Sequence, residues 1–378
     1  MSKQKANIGL VTWPILEAGV APLQSLIHVL YSLSNELHVI TGGAACHVSL
    51  TAKPGVHLYL IEQESTANAF LRVIKNIFTQ LKVSRRMCKI AGHVDFWIFF
   101  FGGSVLLLPM LTAKLLRRSV VLALTGSYPD DMRAQIGSLI SDVVGFLTKI
   151  NCTLSDRIII YSESLIKKWG LEKYEYKVAV ANEHFLDFAK FKLLRPLSER
   201  GSLIGYIGRL SQEKGILNFI EAIPNLVERE DSVEILIGGE GQLGTKVIQY
   251  LDEKKLKNKV KFVGWISHDD LPDYLNQLKL LVIPSYTEAG PYIAFEAMAC
   301  GTPVLATLVG SIPDVVKDGE TGFIMEDNSP ECIARNVLRA LNHPKLGKIA
   351  DNARTLMEKE FTYEAAAQGY SSVLQGLR

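Results

Sequence analysis

The chain has few cysteines for its 378 residues, and none has the spacing of a disulfide framework or a metal site. The five are scattered and odd in number: Cys46, Cys88, Cys152, Cys300 and Cys332. We expect them to be reduced thiols, as in a cytosolic protein. The eight histidines form no H-E-x-x-H pair or similar cluster, and no D-x-D triplet occurs. The sequence therefore predicts no bound metal.

Long hydrophobic runs and low-complexity segments are also missing. The longest uncharged apolar stretch, residues 96–111, is broken by two glycines and is too short to span a bilayer. Pro14 and Glu17 interrupt the apolar run near the N-terminus, so no signal peptide is predicted. We expect a cytoplasmic protein, either free or peripheral at the inner face of the membrane.

The formal net charge of +2 hides an uneven distribution. Residues 1–195 carry 22 Lys and Arg against 14 Asp and Glu, whereas the remainder carries 19 against 25. Part of the excess lies in residues 71–90, where apolar side chains recur at helical spacing. Such a basic amphipathic helix either packs on a core or lies on an anionic membrane. No nucleic-acid partner is expected.

Strand and helix patterns alternate along the chain, which predicts α/β layers with parallel sheets. The length suits two domains. We place a first domain at residues 1–185, a polar linker at 186–200, a second domain at 201–360 and a terminal helix at 361–378. The strand candidates are residues 8–12, 37–41, 56–61, 96–101, 120–124, 157–161, 176–180, 203–207, 234–237, 260–263, 280–283, 304–306 and 322–324.

Residues 285–304 are the most informative segment, because their glycines and prolines predict a short helix directly after a buried strand. Gly290 turns the chain, Pro291 takes the first helical position and Gly301 takes the position after the helix end. The predicted helix is 291–300. Its free first-turn amides, including that of Tyr292, form a site for phosphate or pyrophosphate.

Two carboxylates flank this predicted anion site. Glu288 precedes the helix, and the side chain of Glu296 leans back toward the helix N-terminus. A carboxylate repels phosphate but accepts hydrogen bonds from sugar hydroxyls. The pattern therefore indicates a nucleotide-sugar site.

This segment resembles the Glu-x7-Glu motif of retaining glycosyltransferases in family 4, which have the GT-B fold. The resemblance implies that Glu288 contacts the donor sugar and acts in catalysis, and that Glu296 contacts the ribose. Gly290, Tyr292 and Ile293, between the two carboxylates, would belong to the donor site.

Three further segments match the family in order and spacing. Residues 206–215 resemble the turn in which an Arg and a Lys, here Arg209 and Lys214, clamp the donor diphosphate as catalytic groups. The backbone of Gly264 and Ile266 corresponds to the segment that reads the nucleotide base. Residues 310–323 also follow the family pattern.

The N-terminal half matches less explicitly. Gly19 lies in a loop that faces the donor phosphates in the family, or in an ordinary surface loop. Thr125 stands where many members carry a His near the reacting sugar. Asp130 and Asp131 either hold the acceptor and take its proton, or form a solvated turn.

The resemblance implies a GT-B fold of two Rossmann-like, doubly wound parallel-sheet domains facing a central cleft. The first domain would bind the acceptor and the second the donor, and the terminal helix 361–378 would cross back to the first domain. The implied reaction moves a sugar from a UDP- or GDP-sugar, with retention, to a saccharide, lipid or lipid-linked acceptor, as in cell-envelope polysaccharide or glycolipid synthesis. No cofactor and no metal are expected.

Two other functions stay open. Residues 239–244 form a literal G-x-G-x-x-G after a strand, the pattern of an NAD(P)-dependent oxidoreductase, but the acidic residue expected at the end of the next strand is absent. A non-catalytic GT-B protein that binds nucleotide sugars is also compatible with Thr125.

Overall fold

The computed structural model describes residues 5–15, 19–47, 53–62, 69–124, 138–288 and 290–377. The chain divides into two compact units. The first unit comprises Met1–Phe185 and Tyr363–Arg378, and the second comprises Leu186–Thr362. Each unit contains its own sheet.

The sheet of the first unit is parallel, with strand order β3-β2-β1-β4-β5-β6-β7. Its strands are β1 (Ala6–Thr12), β2 (Ser34–Gly42), β3 (Val56–Ile61), β4 (Phe96–Phe100), β5 (Ser119–Ala123), β6 (Arg157–Ile160) and β7 (Val178–Val180). The order reverses between β1 and β4, which makes the sheet doubly wound.

Helices connect these strands. They are α1 (Val20–Leu33), α2 (Ala69–Ile90), α3 (Leu107–Leu115), α4 (Ser138–Leu154) and α5 (Ser164–Lys168). Every residue of β4 is buried, as expected for a parallel strand covered on both faces. The C-terminal helix of the chain, Tyr363–Leu374, also packs in this unit, against α1. Its Tyr370 is fully buried.

The second unit has a parallel sheet of order β10-β9-β8-β11-β12-β13. Its strands are β8 (Leu203–Ile207), β9 (Glu234–Gly238), β10 (Val260–Gly264), β11 (Leu280–Ile283), β12 (Val304–Thr307) and β13 (Phe323–Met325). Its helices are α6 (Ile216–Arg229), α7 (Gly244–Glu253), α8 (Leu271–Leu275), α9 (Tyr292–Ala299), α10 (Ile312–Val315), α11 (Pro330–Leu341) and α12 (Leu346–Glu360). The C-terminal helix Tyr363–Leu374 is therefore α13.

Residues 186–200, predicted as a linker, pack into the second unit. Leu186 and Phe191 are buried in its core, and the Leu186 amide donates to the Phe361 carbonyl at 2.8 Å. Arg200 is only 4% exposed, and its guanidinium donates to the carbonyls of several residues and to the Thr302 hydroxyl. Hydrogen bonds and the burial of two apolar side chains together hold this segment in the second unit.

Four of the five cysteines, Cys88, Cys152, Cys300 and Cys332, are free thiols in the part of the chain that is described. Burial raises the pKa of the Cys152 thiol to about 11 and that of Cys300 to about 12, which makes both poor nucleophiles. None of the described helices is long and apolar enough to cross a membrane.

Candidate functional site

Helix α9 begins one residue later than the sequence predicted. Pro291 is its N-cap residue, with φ −80° and ψ 74°, instead of its first helical residue. The amide of Tyr292 is not free as expected, because it donates to the Gly290 carbonyl at 3.0 Å. Gly301 has φ +69° and follows the C-cap Cys300, as predicted. The anion site expected from the helix N-terminus is thus smaller than the sequence suggested.

Glu288 and Lys214 form the centre of the site. The Lys214 ammonium donates to Oε1 of Glu288 at 2.7 Å, and the Ser285 hydroxyl donates to the same oxygen at 2.7 Å. The Glu288 side chain is only 7% exposed and that of Lys214 is 24% exposed. The pair joins the loop after β8 to the loop after β11, both at the carboxyl edge of the sheet.

Arg209 lies in the loop after β8 with its side chain 61% exposed and Nη1 3.6 Å from Oε1 of Glu213. Burial of Glu213 disfavours its ionisation. The Ser211 hydroxyl, which donates at 2.7 Å, the backbone and the charge of Arg209 outweigh that effect and lower its pKa. The turn therefore presents a fixed, ionised carboxylate beside an accessible guanidinium.

Two glycines allow the loops to approach one another. Gly215 has φ +69°, and a Cβ there would overlap the Pro284 carbonyl oxygen. Gly310 has φ +56°, and a Cβ there would overlap the Glu288 carbonyl oxygen. The backbone around Lys214 and Glu288 is thus positioned by contacts that only glycine permits.

Glu296 is held in a second hydrogen-bonded group. Its Oε1 lies 2.9 Å from Nε2 of His268, and Nδ1 of His268 lies 2.8 Å from the Lys190 ammonium. Because an ammonium can only donate, Nδ1 accepts and Nε2 carries the proton donated to Glu296. Burial raises the pKa of Glu296, and the hydrogen bond and charge of His268 oppose that rise. Lys190 also donates to Asp269 at 2.6 Å.

A cavity of about 190 Å³ lies at this edge of the second unit. Its lining includes five of the predicted donor-site residues: Lys214, Glu288, Gly290, Tyr292 and Ile293. Tyr206 also lines it and donates its hydroxyl to the Arg209 carbonyl at 2.9 Å. Lys214 and Glu288, which the sequence places in two separate motifs, thus line one cavity.

The other predicted site residues that the structure describes lie outside this cavity lining. Gly264 ends β10 with φ +67° and accepts from the Gly239 amide at 2.6 Å, and the side chain of Ile266 packs on the core. Gly19 is the N-cap of α1 in the first unit, with φ −88°. Thr125, Asp130 and Asp131 lie outside the described residues.

The G-x-G-x-x-G turn packs against the loop that carries Arg209. A Cβ at Gly239 would overlap the Gly208 carbonyl, and one at Gly241 would press on Leu210. The Leu210 amide donates to the Glu240 carbonyl at 2.9 Å. Because these glycines have no side chains, the neighbouring loop packs closely against them. In a dinucleotide-binding turn the pyrophosphate would occupy that space.

Sequence reasoning missed three groups that complete the site: Ser285, His268 and Lys190. Ser285 lies three residues before Glu288, and its hydroxyl could have been expected to bond the carboxylate. His268 and Lys190 meet Glu296 only through the tertiary fold, and no sequence signal identifies them.

Comparison with solved structures defines the class of fold. The structure resembles the Anabaena protein HepE in complex with UDP with a TM-score of 0.77 at 18% identity, over 97% of this chain and 99% of that one. HepE has also been solved in complex with UDP-glucose and with UDP and glucose. At this identity the similarity shows the fold alone, and it confirms the predicted GT-B class of two Rossmann-like α/β domains.

Sequence comparison agrees for the second unit. Residues 190–356 match the family model "Glycosyl transferases group 1". The chain is 26% identical over 200 residues to an uncharacterised glycosyltransferase of Methanocaldococcus jannaschii, covering 53% of this chain and 50% of the relative. It is 32% identical over 167 residues to the D-inositol 3-phosphate glycosyltransferase of Salinispora tropica, covering 42% and 34%.

The chain thus spans half or less of the length of these curated relatives. Fold and sequence similarity both support the GT-B superfamily of glycosyltransferases.

Proposed function

We propose that the protein is a retaining glycosyltransferase that moves a sugar from a nucleoside-diphosphate sugar to a saccharide, lipid or lipid-linked acceptor. The observation that carries the proposal is the Lys214–Glu288 pair, 2.7 Å apart, at the edge of a cavity between two loops of the second unit. Transfer breaks the bond between the sugar and the diphosphate. A cation for the diphosphate and a carboxylate for the sugar are both needed there.

Charge stabilisation of the leaving diphosphate is assigned to Lys214 and Arg209. Fixed cations aimed at developing negative charge are commonly the largest contribution to such catalysis. Because the site supplies these two cations, we propose that the reaction needs no metal and no cofactor. We propose that the departing diphosphate itself accepts the acceptor's proton.

Donor recognition is assigned to Glu288 for the sugar hydroxyls and to Glu296 for the ribose. The 2.9 Å hydrogen bond from His268 orients the Glu296 carboxylate before the donor binds. Pre-orientation of this kind lowers the entropic cost of binding. The complexes of HepE with UDP and with UDP-glucose support a nucleotide-sugar donor.

The experiment that tests transfer is incubation with UDP- and GDP-sugars and a panel of saccharide and lipid-linked acceptors. The account predicts released nucleoside diphosphate and a product whose anomeric configuration, determined by NMR, is that of the donor. An inverted product would contradict the retaining mechanism. Nucleotide-sugar binding without transfer to any acceptor would favour the non-catalytic alternative.

We further propose that the first unit contacts anionic membrane through α2. Five large apolar side chains of α2 are exposed: Leu71 at 45%, Val73 at 59%, Ile77 at 47%, Phe78 at 60% and Leu81 at 49%. Helices α3 and α4, which pack next to one another, add further exposed apolar side chains: Leu111, Leu115, Ile140, Val143 and Phe146. An apolar surface of this extent on neighbouring helices is typical of a docking surface.

Basic side chains border this surface. Lys82, Arg85, Arg86 and Lys89 line a cavity of about 720 Å³ beside the ends of β2 and β3. Each Lys or Arg near an anionic membrane contributes about 1 kcal/mol of attraction. Exposed apolar side chains together with positive charge support an anionic phospholipid membrane as the partner of this surface. A lipid-linked acceptor would then reach the protein from that membrane.

Vesicle flotation tests this contact. The protein should float with vesicles containing an anionic phospholipid and should not float with purely zwitterionic ones. Phe78→Ser should reduce flotation, whereas Leu308→Ser, which removes an equally exposed apolar side chain of the second unit, should leave it unchanged. Equal flotation of the two variants would contradict a role for α2.

A further inference from the structure

Three side chains that can ligate a metal meet on one face of the first unit's sheet. Glu36 and His38 are two positions apart on β2 and therefore project to the same face. His57 on β3 pairs in register with His38. Their ligand atoms all lie within 4.8 Å of one another. The sequence shows no cluster of histidines, because strand pairing is what brings these residues, distant in the chain, together.

The distances suit a small tetrahedral cation. Nε2 of His38 lies 3.4 Å from Oε2 of Glu36, and Nε2 of His57 lies 3.9 Å from the same oxygen. Ligand atoms bound tetrahedrally at zinc distances stand about 3.3 Å apart. The Glu36 and His57 side chains are 39% and 45% exposed. The His57 ring therefore has room to turn out of its stack on His38 and direct Nε2 at the shared metal position.

His38 supplies the observation that favours a ligand over a simple polar cluster. The residue is 3% exposed, and its Nε2, directed at Glu36, is buried and has no hydrogen-bond partner among the described residues. The Glu36 carboxylate, 3.4 Å away, makes only a long contact with this nitrogen. Buried polar atoms are rarely left unpaired, so this nitrogen calls for a partner.

Tyr59 occupies the other ring nitrogen of His38. Its hydroxyl lies 3.1 Å from Nδ1. Metal-binding histidines commonly hold their second nitrogen in a hydrogen bond, which fixes the tautomer and the ring orientation. With Nδ1 donating to Tyr59, the lone pair of Nε2 lies in the ring plane on the side of Glu36.

The His38 and His57 imidazole rings lie face to face. They stack with centroids 4.6 Å apart, a geometry that two protonated rings would avoid. The neutral form is the one that binds metal.

We propose that Glu36, His38 and His57 bind one divalent transition metal of the zinc class, with water as the fourth ligand. Imidazole ligands suit zinc and its neighbours in the first transition row, whereas magnesium and calcium take oxygen ligands. Since β3 is the edge strand of its sheet, the metal ties the edge to β2. Its role is structural, and the sugar-transfer site does not use it.

The test is a titration of the chelator-treated, full-length protein with Co²⁺ and then with Zn²⁺. The proposal predicts one Co²⁺ per chain, with the visible spectrum of tetrahedral nitrogen and oxygen ligation, displaced by Zn²⁺. Bound metal should also raise the melting temperature. Binding of neither ion at concentrations equal to the protein would overturn the proposal.

Variants locate the site. His57→Asn and Glu36→Gln, both at partly exposed positions, should fold normally without metal and bind Co²⁺ at least tenfold more weakly. Tyr59→Phe keeps all three ligands and should weaken binding by about 10-fold to 100-fold. His343→Asn, in the second unit, is the control and should bind like the wild type. Unchanged affinity in both His57→Asn and Glu36→Gln would contradict the assignment.

Discussion

The Lys214 ammonium and the Glu288 carboxylate lie 2.7 Å apart, although 73 residues of intervening chain separate the loops that carry them. Their pairing leaves both groups largely withdrawn from solvent. A diphosphate that enters the cavity must therefore compete with Glu288 for the ammonium. In the proposed reaction, Glu288 is released to bind the donor sugar as Lys214 turns to the phosphates.

Glu288→Gln should separate binding from transfer. The amide has the shape of the carboxylate but no charge, so it no longer competes for Lys214, and nucleoside-diphosphate affinity should be unchanged or higher. Turnover should fall by about 100-fold or more, as when one charge-stabilising group is removed from an active site. Calorimetry for binding and a product assay for turnover measure the two effects. Turnover within a factor of two of wild type would exclude Glu288 from the reaction.

Gly215→Ala should disturb the turn that carries Lys214. The added Cβ would overlap the Pro284 carbonyl, and φ +69° is unfavourable for alanine. We expect a stability loss of about 1–3 kcal/mol and weaker nucleoside-diphosphate binding. Gly201→Ala is the matched control, because a Cβ there meets nothing within 4 Å. If the two variants melt and bind alike, the close approach at Gly215 is not important.

The sequence predicted the strands well because each is a short apolar run bounded by turn residues. β4 and β11 are buried along their whole length and have no polar face that could confuse the pattern. The glycine and proline around α9 likewise fixed that helix to within one residue at each end. Local chemistry was enough for these elements.

Tertiary contacts were not predictable in the same way. A chain of hydrogen bonds runs from Lys190 to His268 and from His268 to Glu296. It depends on how α9 packs against the loop after β10 and the segment before β8. The Tyr292 amide donates to the Gly290 carbonyl because Pro291 is the N-cap rather than the first helical residue. The Glu36, His38 and His57 cluster needed the register of β2 and β3, although the spacing of Glu36 and His38 on a strand was a signal.

Stability of the first unit should fall as pH rises from 4.5 to about 7. Glu183 is fully buried, and burial raises its pKa to about 7 despite hydrogen bonds from Tyr161 and Tyr370. Over that range the unfolded chain loses the proton while the folded chain keeps it, so ionisation favours unfolding. The contribution is roughly 3 kcal/mol and is complete above pH 7.

Glu183→Gln should remove this pH dependence, since the amide does not titrate. Denaturant unfolding at a series of pH values measures it. Glu172→Gln, an exposed glutamate of the same unit, is the control and should keep the wild-type profile. An equal decline in stability in Glu183→Gln and wild type would show that another group is responsible.

Arg200→Ala should destabilise the second unit by about 3 kcal/mol, because it breaks a buried hydrogen-bond network. The guanidinium donates to Thr302 at 2.7 Å and to the Cys300 carbonyl at 2.8 Å, and burial lowers its pKa to about 10. Urea unfolding measures the loss. The exposed neighbour Arg195→Ala should cost less than about 0.5 kcal/mol. Equal losses would mean that the network contributes little.

The most direct test of the central claim is calorimetric binding of UDP and GDP, with chelator present, to the wild type and to Lys214→Ala. The account predicts binding of one of the two nucleotides without metal, a loss of affinity of at least tenfold in Lys214→Ala, and unchanged affinity in the exposed control Lys246→Ala. Binding of NAD or NADP alone, or nucleotide affinity that does not depend on Lys214, would contradict it.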